Sequence, residues 1–217
     1  MRLNLRGETL ELLPEKAFLW VEKAMLVLSD LHLGKADSLQ AQGVPIPSLS
    51  HDDDFNRLRR LIDLHQPRTV VFLGDLIHDR QSWSQALEAR LAQFFQDFSQ
   101  IDFKLILGNH DRHSRDILRD WPLELIEDDW RVEPFIFAHG HQSQKLKSDD
   151  FEISGHVHPV IKISQGPVKL RLPCFVEGPQ SLVVPSFGIL TGGFEIERKK
   201  NEKVYAVADK KIILVGR

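Results

Sequence analysis

Five short segments of this 217-residue chain end on residues that bind metal ions or move protons. MLVLS runs into Asp30-Leu31-His32, TVVFLG into Asp75-Leu76-Ile77-His78, and KLILG into Asn109-His110-Asp111. PFIFA runs into His139-Gly140-His141 and FEISG into His156-Val157-His158. Each begins as apolar, β-forming sequence and stops near a small residue on Asp, Asn or His. Such side chains are costly to bury and add nothing to a sheet. In α/β sheets, however, ligands bind beyond the carboxyl ends of the strands. One shared site is expected.

The donor types suggest its chemistry. Mixed nitrogen and oxygen donors suit borderline divalent ions such as manganese, iron, zinc or nickel, and argue against calcium. Asp30 and His32 are two apart and face the same way if the segment stays extended, and His156 and His158 repeat that spacing. Asp75 has two carboxylate oxygens and can bridge two cations, while Asn109 offers a neutral carbonyl oxygen. Two such ions, ~3.5–4 Å apart, would clamp a phosphoryl group and acidify a water. Their charge would draw in phosphate despite the acidic chain.

The elements that must position these residues can be read around them. Short strands are expected at 2–5, 9–12, 17–21 and 25–28. Helical periodicity appears in SHDDDFNRLRRLIDLH, with Phe55, Leu58, Leu61 and Ile62 on one face, and again from Ser84 to Phe98. Beyond His139 the pattern turns to strands: FEISG, PVIKIS, VKLRL, SLVV, and a final hairpin of VYAVA and KIILV. Loops are short throughout, so residues 1–217 are expected to form one domain. Hydrophobic residues make up 42% of the chain and its net charge is −3, so no global basic field or basic stripe announces nucleic acid. A single cysteine, Cys174, lies in an apolar strand and is expected in the core. The first residues lack the apolar run of a signal peptide, and no segment reaches the ~18 apolar residues of a membrane span. A cytoplasmic protein without membrane contact is expected.

DLH, GDLIH, GNHD, HG and GHVH, in this order, resemble the five motifs of the calcineurin-like metallophosphoesterase superfamily. That resemblance implies an α/β fold, a four-layer αββα sandwich with two mixed β-sheets. It implies a first metal on Asp30, His32, Asp75 and His158, and a second on Asp75, Asn109, His139 and His156. His110 would act beside the phosphate, held by Asp111, in an in-line attack by activated water. LLPEKAFLW, SDLHLGKADSLQAQGVPIP and LPCFVEGPQSLVVPSFGILTGGFEI are similar to the ligase-associated DNA damage response phosphoesterase (PdeM) family. This narrower resemblance implies a phosphodiesterase or endonuclease working beside a DNA ligase, a DEXH-box helicase and an exonuclease. The alternatives are a small-diester or pyrophosphate hydrolase and a non-catalytic partner in a repair complex.

Other residues carry more than one reading. His78 either assists catalysis, supports a ligand or caps a helix. Lys35, Arg80, Arg112 and Arg115 either grip phosphate or are surface charges. His141 is expected behind the ligands or in solvent, and His51 with Asp52 to Asp54 as a charged helix start. His65 and His113 are expected to be structural.

Overall fold

A computed structural model describes residues 1–46, 50–140, 146–165 and 168–216. The first sheet has seven strands in chain order: β1 (Arg2–Leu5), β2 (Glu8–Leu13), β3 (Ala17–Trp20), β4 (Met25–Leu28), β5 (Thr69–Phe72), β6 (Asp102–Ile106) and β7 (Glu124–Ile126). β1 to β4 pair antiparallel, and β4 to β7 pair parallel. β4 and β5 are near-continuous Val, Leu and Phe because parallel strands are covered on both faces. Helices α1 (Lys35–Ala41), α2 (Ser50–His65), α3 (Gln85–Asp97) and α4 (Arg115–Leu118) all come between β4 and β7.

α3 shows why its sequence folds as it does. Ser84 caps it, accepting a hydrogen bond from the Leu87 amide at 3.2 Å. Leu87, Leu91, Phe94 and Phe95 recur at helical spacing and are buried against Phe55 and Leu58 of α2 and Phe72 and Phe103 of the sheet.

The second sheet has nine strands. They are β8 (Trp130–Val132), β9 (Phe135–Ala138), β10 (Glu152–Ser154), β11 (Pro159–Gln165), β12 (Val168–Glu177), β13 (Ser181–Val183), β14 (Phe194–Glu195), β15 (Lys203–Ala208) and β16 (Lys211–Leu214). The order is β14-β11-β12-β13-β10-β9-β8, with β15 and β16 attached to β12. The two sheets close on an apolar layer in which Trp20 meets Phe135 edge to face at 4.9 Å, alongside Phe18, Phe137 and Phe175. Each such ring is worth ~1.5–3 kcal/mol when buried. Cys174, Val176, Val204 and Ala206 point the other way and form a smaller cluster on the outer face.

The expected α/β fold with two mixed sheets is what the chain forms. All described helices precede the second sheet in sequence, and that sheet's outer face carries the small cluster where a helical layer was expected. The expected long helices appear, with Ser84 and Phe98 as the caps of α3. The sequence reading missed α1, α4, β7, β8 and β14. These are short or half-exposed pieces that leave no hydrophobic period. Cys174 is fully buried, and burial pushes its thiol up to about 12, so it is core as expected.

Candidate metal centre

The loops after β4 and β5 do not separate at the strand ends. Amides of Asp30, His32 and Leu33 donate to the carbonyls of Gly74, Asp75 and Leu76 at 3.1, 2.9 and 2.8 Å, and the His78 amide returns a bond to Leu33. The DLH and GDLIH segments therefore reach the site as one laced unit. The remaining segments arrive beside it, from β6, β9 and β10.

Asp30, His32, Asp75, His156 and His158 all have left-handed backbones, with φ between 50° and 66°. This corrects the expectation of extended segments. A non-glycine residue pays ~1–2 kcal/mol to adopt this region, and five of the ten such residues described are these site residues. The other five, Arg6, Lys16, Ala24, Gln66 and Asp209, lie in hairpin turns or at a helix end. Strain concentrated in this way persists only where the surroundings over-determine it. Here they do: the Asp30 carboxylate accepts from the Ser29 hydroxyl and from the His156 amide at 3.0 Å. The Asp75 carboxylate accepts from the His110 amide at 3.0 Å.

Two glycines show how tightly the segments meet. A Cβ at Gly108 would stand 2.2 Å from an Asp75 carboxylate oxygen, and one at Gly155 would stand 1.7 Å from the Ser29 hydroxyl. The small residues that end the strands are therefore needed for space.

The donors fall into overlapping groups, each with ligand atoms within 4.8 Å of one another: Asp30, His32 and His158; Asp75, His139 and His156; and His32, His78 and His110. Asn109 joins the second group, its Oδ1 3.2 Å from His139 Nε2. Asp75 Oδ2 sits between the first two, 3.7 Å from His32 Nε2 and 3.5 Å from His139 Nε2. Asp30 Oδ1, His32 Nε2 and His158 Nε2 are buried with no hydrogen-bond partner. Buried polar atoms are rarely left so. Lone pairs converging on one point suit a divalent cation, so the residues fit the metal their types suggest.

The electrostatics at His32 agree. Burial lowers the His32 imidazole to about 3 against the opposing pull of Asp75 and Asp30, keeping it neutral and able to donate a lone pair. Burial also lowers His78 and His156. Burial opposes ionisation of Asp75, yet His139, His32 and the His110 amide outweigh it and hold the carboxyl well below the usual range. His139 is likewise penalised by burial, but Asp75 raises it to about 9.

Around these groups lies a support that the sequence reading missed. The Asp30 carbonyl accepts from the Ser186 hydroxyl at 2.9 Å, the Gly188 amide at 3.1 Å and the Thr191 hydroxyl at 3.4 Å. The loop carrying these donors is itself anchored. Lys16 donates to the Gly188 carbonyl at 3.2 Å, and Asp54 accepts from the Ile189 amide at 3.3 Å. Arg57 binds the Phe187 carbonyl and covers the Phe187 ring at 3.9 Å. The clue was a set of charged residues at positions that turn out to be buried or half-buried. Asp54, expected in a charged helix start, is 6% exposed.

Other expectations need correction. Asp111 does not hold His110. It is fully buried, and its two oxygens accept from the Ile77 and Gly108 amides at 3.1 and 3.0 Å. His110 Nδ1 instead meets the His78 carbonyl. Arg80 pairs with Asp116 at 2.6 Å, Arg115 pairs with Glu127, and Arg112 donates to the Glu127 carbonyl at 3.0 Å. Lys35 is half-buried, and its ammonium is lowered by burial and raised by Asp75. His78 lies within the site, its Nδ1 3.4 Å from His32 Nδ1 and its ring stacked on His110. His141 and the side chain of His51 lie outside the described residues.

Residues 24–181 match the family model described as calcineurin-like phosphoesterase. The chain belongs to that family. It is a metal-dependent phosphoester hydrolase, with His and Asp groups placed to take divalent metal. Among solved structures, this calcineurin-like phosphoesterase is similar to Pseudomonas putida nuclease MPE, 29% identical over 99% of each chain with a TM-score of 0.83. Yfce, a phosphoesterase from E. coli, is 17% identical over 88% of this chain and 97% of its own, with a TM-score of 0.48. No curated protein matches the chain. No described helix is long and apolar enough to cross a membrane.

Proposed function

We propose that the protein hydrolyses phosphodiester bonds in nucleic acid, with residues 1–217 acting as one metallophosphoesterase domain. The observation that carries this reading is the likeness to a nuclease along nearly the whole of both chains, joined to a donor set suited to divalent metal. Asp30, His32, Asp75 and His158 would hold one ion, and Asp75, Asn109, His139 and His156 a second, with manganese the ion expected. Divalent ions bound there supply Lewis acidity toward phosphoryl oxygen and lower the pKa of water.

The chain's own residues do the rest. The carbonyl of His78 can only accept, so His110 Nδ1 carries a hydrogen toward it. That bond fixes the half-exposed ring and leaves Nε2 for the substrate. In its protonated form His110 donates from Nε2 to the leaving oxygen. His78, stacked on His110 and beside His32, limits how far either ring can turn. Asp111 is a positioning residue, tying the Gly108 amide to the Ile77 amide. The support of Asp30 through Ser186 and Gly188 keeps its strained backbone in place. By its resemblance to the ligase-associated DNA damage response phosphoesterases, the protein would work in the cytoplasm beside a DNA ligase and a DEXH-box helicase.

The test is a panel of single-stranded, nicked, flapped and duplex DNAs beside bis-aryl and mono-aryl phosphates, each with manganese, iron, zinc or nickel. Cleavage of single-stranded or locally open DNA, and of bis-aryl faster than mono-aryl phosphate, is expected. Turnover of small diesters alone would move the assignment to a nucleotide or other small diester. A preference for the monoester would overturn the diester reading.

A further inference from the structure

The net charge conceals an asymmetry. Residues 1–158 hold eighteen Lys and Arg against twenty-six Asp and Glu, whereas residues 159–217 hold ten against five. The change of sign falls at His158, where β11 leaves the metal centre.

The topology places part of that positive charge at the rim of the centre. β10 and β13 run parallel with Ser154 opposite Val183, and β10 ends one residue before Gly155 and His156. β12 runs antiparallel to β13 with Val176 opposite Val183. Residues 168–173 of β12 therefore lie past the carboxyl ends of β10 and β13, on the end where the centre sits. There they pair with β11, from Val160 opposite Pro173 to Gln165 opposite Val168. The six pairs form an arm extending ~17 Å beyond the sheet at ~3.4 Å per residue.

One face of this arm is basic. Phe175 points between the two sheets while Cys174 and Val176 point outward. Alternation then puts Arg171 and Lys169 on the Phe175 side. The register sets Lys162 opposite Arg171 and Ser164 opposite Lys169. Lys162, Lys169 and Arg171 thus share the face turned toward the inter-sheet side, and all three are exposed. A single carboxylate, Glu195, stands 3.7 Å from Lys162 and 3.6 Å from Arg171, and Arg171 also donates to the Gly193 carbonyl at 3.2 Å. Lys169 has no ion pair among the described residues. The basic stripe absent from the linear sequence is assembled by strand register.

We propose that the β11–β12 arm is a clamp for the backbone of a single-stranded nucleic acid, with Lys162, Lys169 and Arg171 holding phosphates farther along the strand from the one being cut. The inference rests on the nucleic-acid reading of the centre. Three cations beside the site are too few for a strong duplex binder, which makes ~6–10 phosphate contacts, but enough to keep a flexible strand in register.

The test compares the parent with a K162A/K169A/R171A variant and with Glu195→Gln, all metal-loaded. It measures cleavage of a single-stranded oligonucleotide and of bis-p-nitrophenyl phosphate from 50 to 200 mM salt. It also measures binding by fluorescence anisotropy, using the same oligonucleotide and a polyglutamate control. Single-strand contacts contribute a salt slope of about −0.7 each, so the parent should show about −2 and the triple variant a slope near zero. Its oligonucleotide KM should rise ~10-fold with the slope lost, while turnover of the base-free diester and thermal stability stay unchanged. Glu195→Gln, which removes the carboxylate competing with phosphate for Lys162 and Arg171, should lower KM. An unchanged KM and slope in the triple variant would overturn the clamp. Equal loss of polyglutamate binding would reassign the arm to an acidic protein partner and overturn it as well. If the parent cuts only the small diester, the nuclease reading fails. The clamp then stands or falls on whether the triple variant loses oligonucleotide binding.

Discussion

Asp30 Oδ1 and His158 Nε2 stand 2.9 Å apart, both buried, and neither makes a hydrogen bond. A carboxylate oxygen and an imidazole nitrogen this close, desolvated and without a hydrogen bond, are placed to share a cation. His32 Nε2 is in the same condition, so the three together describe one cation site.

His158→Ala should therefore remove one ion and leave about one per chain by elemental analysis. Each ion at one hundred times its dissociation constant adds about 2.7 kcal/mol. For a chain of this size that corresponds to ~5–10 °C in Tm per ion. Chelation should cost the parent about two such shifts and His158→Ala about one. Equal shifts in the two proteins would mean that His158 is not a ligand.

Asp75 occupies a different position. One of its oxygens accepts the His110 amide while the other faces both His32 and His139. Asp75→Ala should lose both ions and nearly all activity while keeping its fold, because the apolar strand before it is untouched. Near-normal metal content in the purified variant would sink the bridging role.

What the sequence disclosed follows from what leaves a pattern. Apolar strands ending on Asp, Asn or His were visible because each residue type is unusual at its place, and the two long helices because their buried stripes recur every three or four residues. The left-handed backbones at Asp30 and His158 were hidden, since no rule forbids extended Asp or His. The support of Asp30 by Ser186 and Gly188 spans more than one hundred and fifty residues, and no local period announces it. The basic face of the β11–β12 arm needed register: Lys162 and Arg171 are unremarkable apart and meaningful only as partners. Asp111 was misassigned because adjacency in sequence suggested a pair, whereas the turn after Gly108 directs its carboxylate inward to two amides.

That correction separates two neighbouring residues by experiment. His110→Ala should keep about two ions per chain and lose at least ~10²-fold in turnover, the usual scale for a positioned acid or base. Asp111→Ala should instead destabilise the fold, leaving two buried amides without partners at ~1–3 kcal/mol each. Asp111→Asn, which retains one oxygen acceptor, should recover part of that loss. Metal lost along with rate in His110→Ala would make His110 a ligand and would undo the assignment of Asn109.

The anchor beneath Asp30 can be followed through pH. Lys16 donates to the Gly188 carbonyl, and burial, reinforced by Arg57 and opposed by Asp54, lowers its ammonium to about 7. In the unfolded chain it titrates at its ordinary value, near 10.5. Between those limits the unfolded state binds more protons than the folded one, so this residue makes stability rise with pH. Below about pH 7 both states carry the proton, and the full cost of burying the charge is present. His139 works in the opposite direction. Its folded value of about 9 lies above its ordinary one, so its contribution is lost as pH rises through that region. Comparison with Lys16→Met, which keeps the aliphatic stem and leaves His139 alone, isolates the lysine. Urea unfolding of both proteins at matched metal content should show the parent gaining on the variant steadily from pH 7 to pH 10. Parallel curves would put the Lys16 ammonium in water in the folded state and remove it as an anchor of the Gly188 loop.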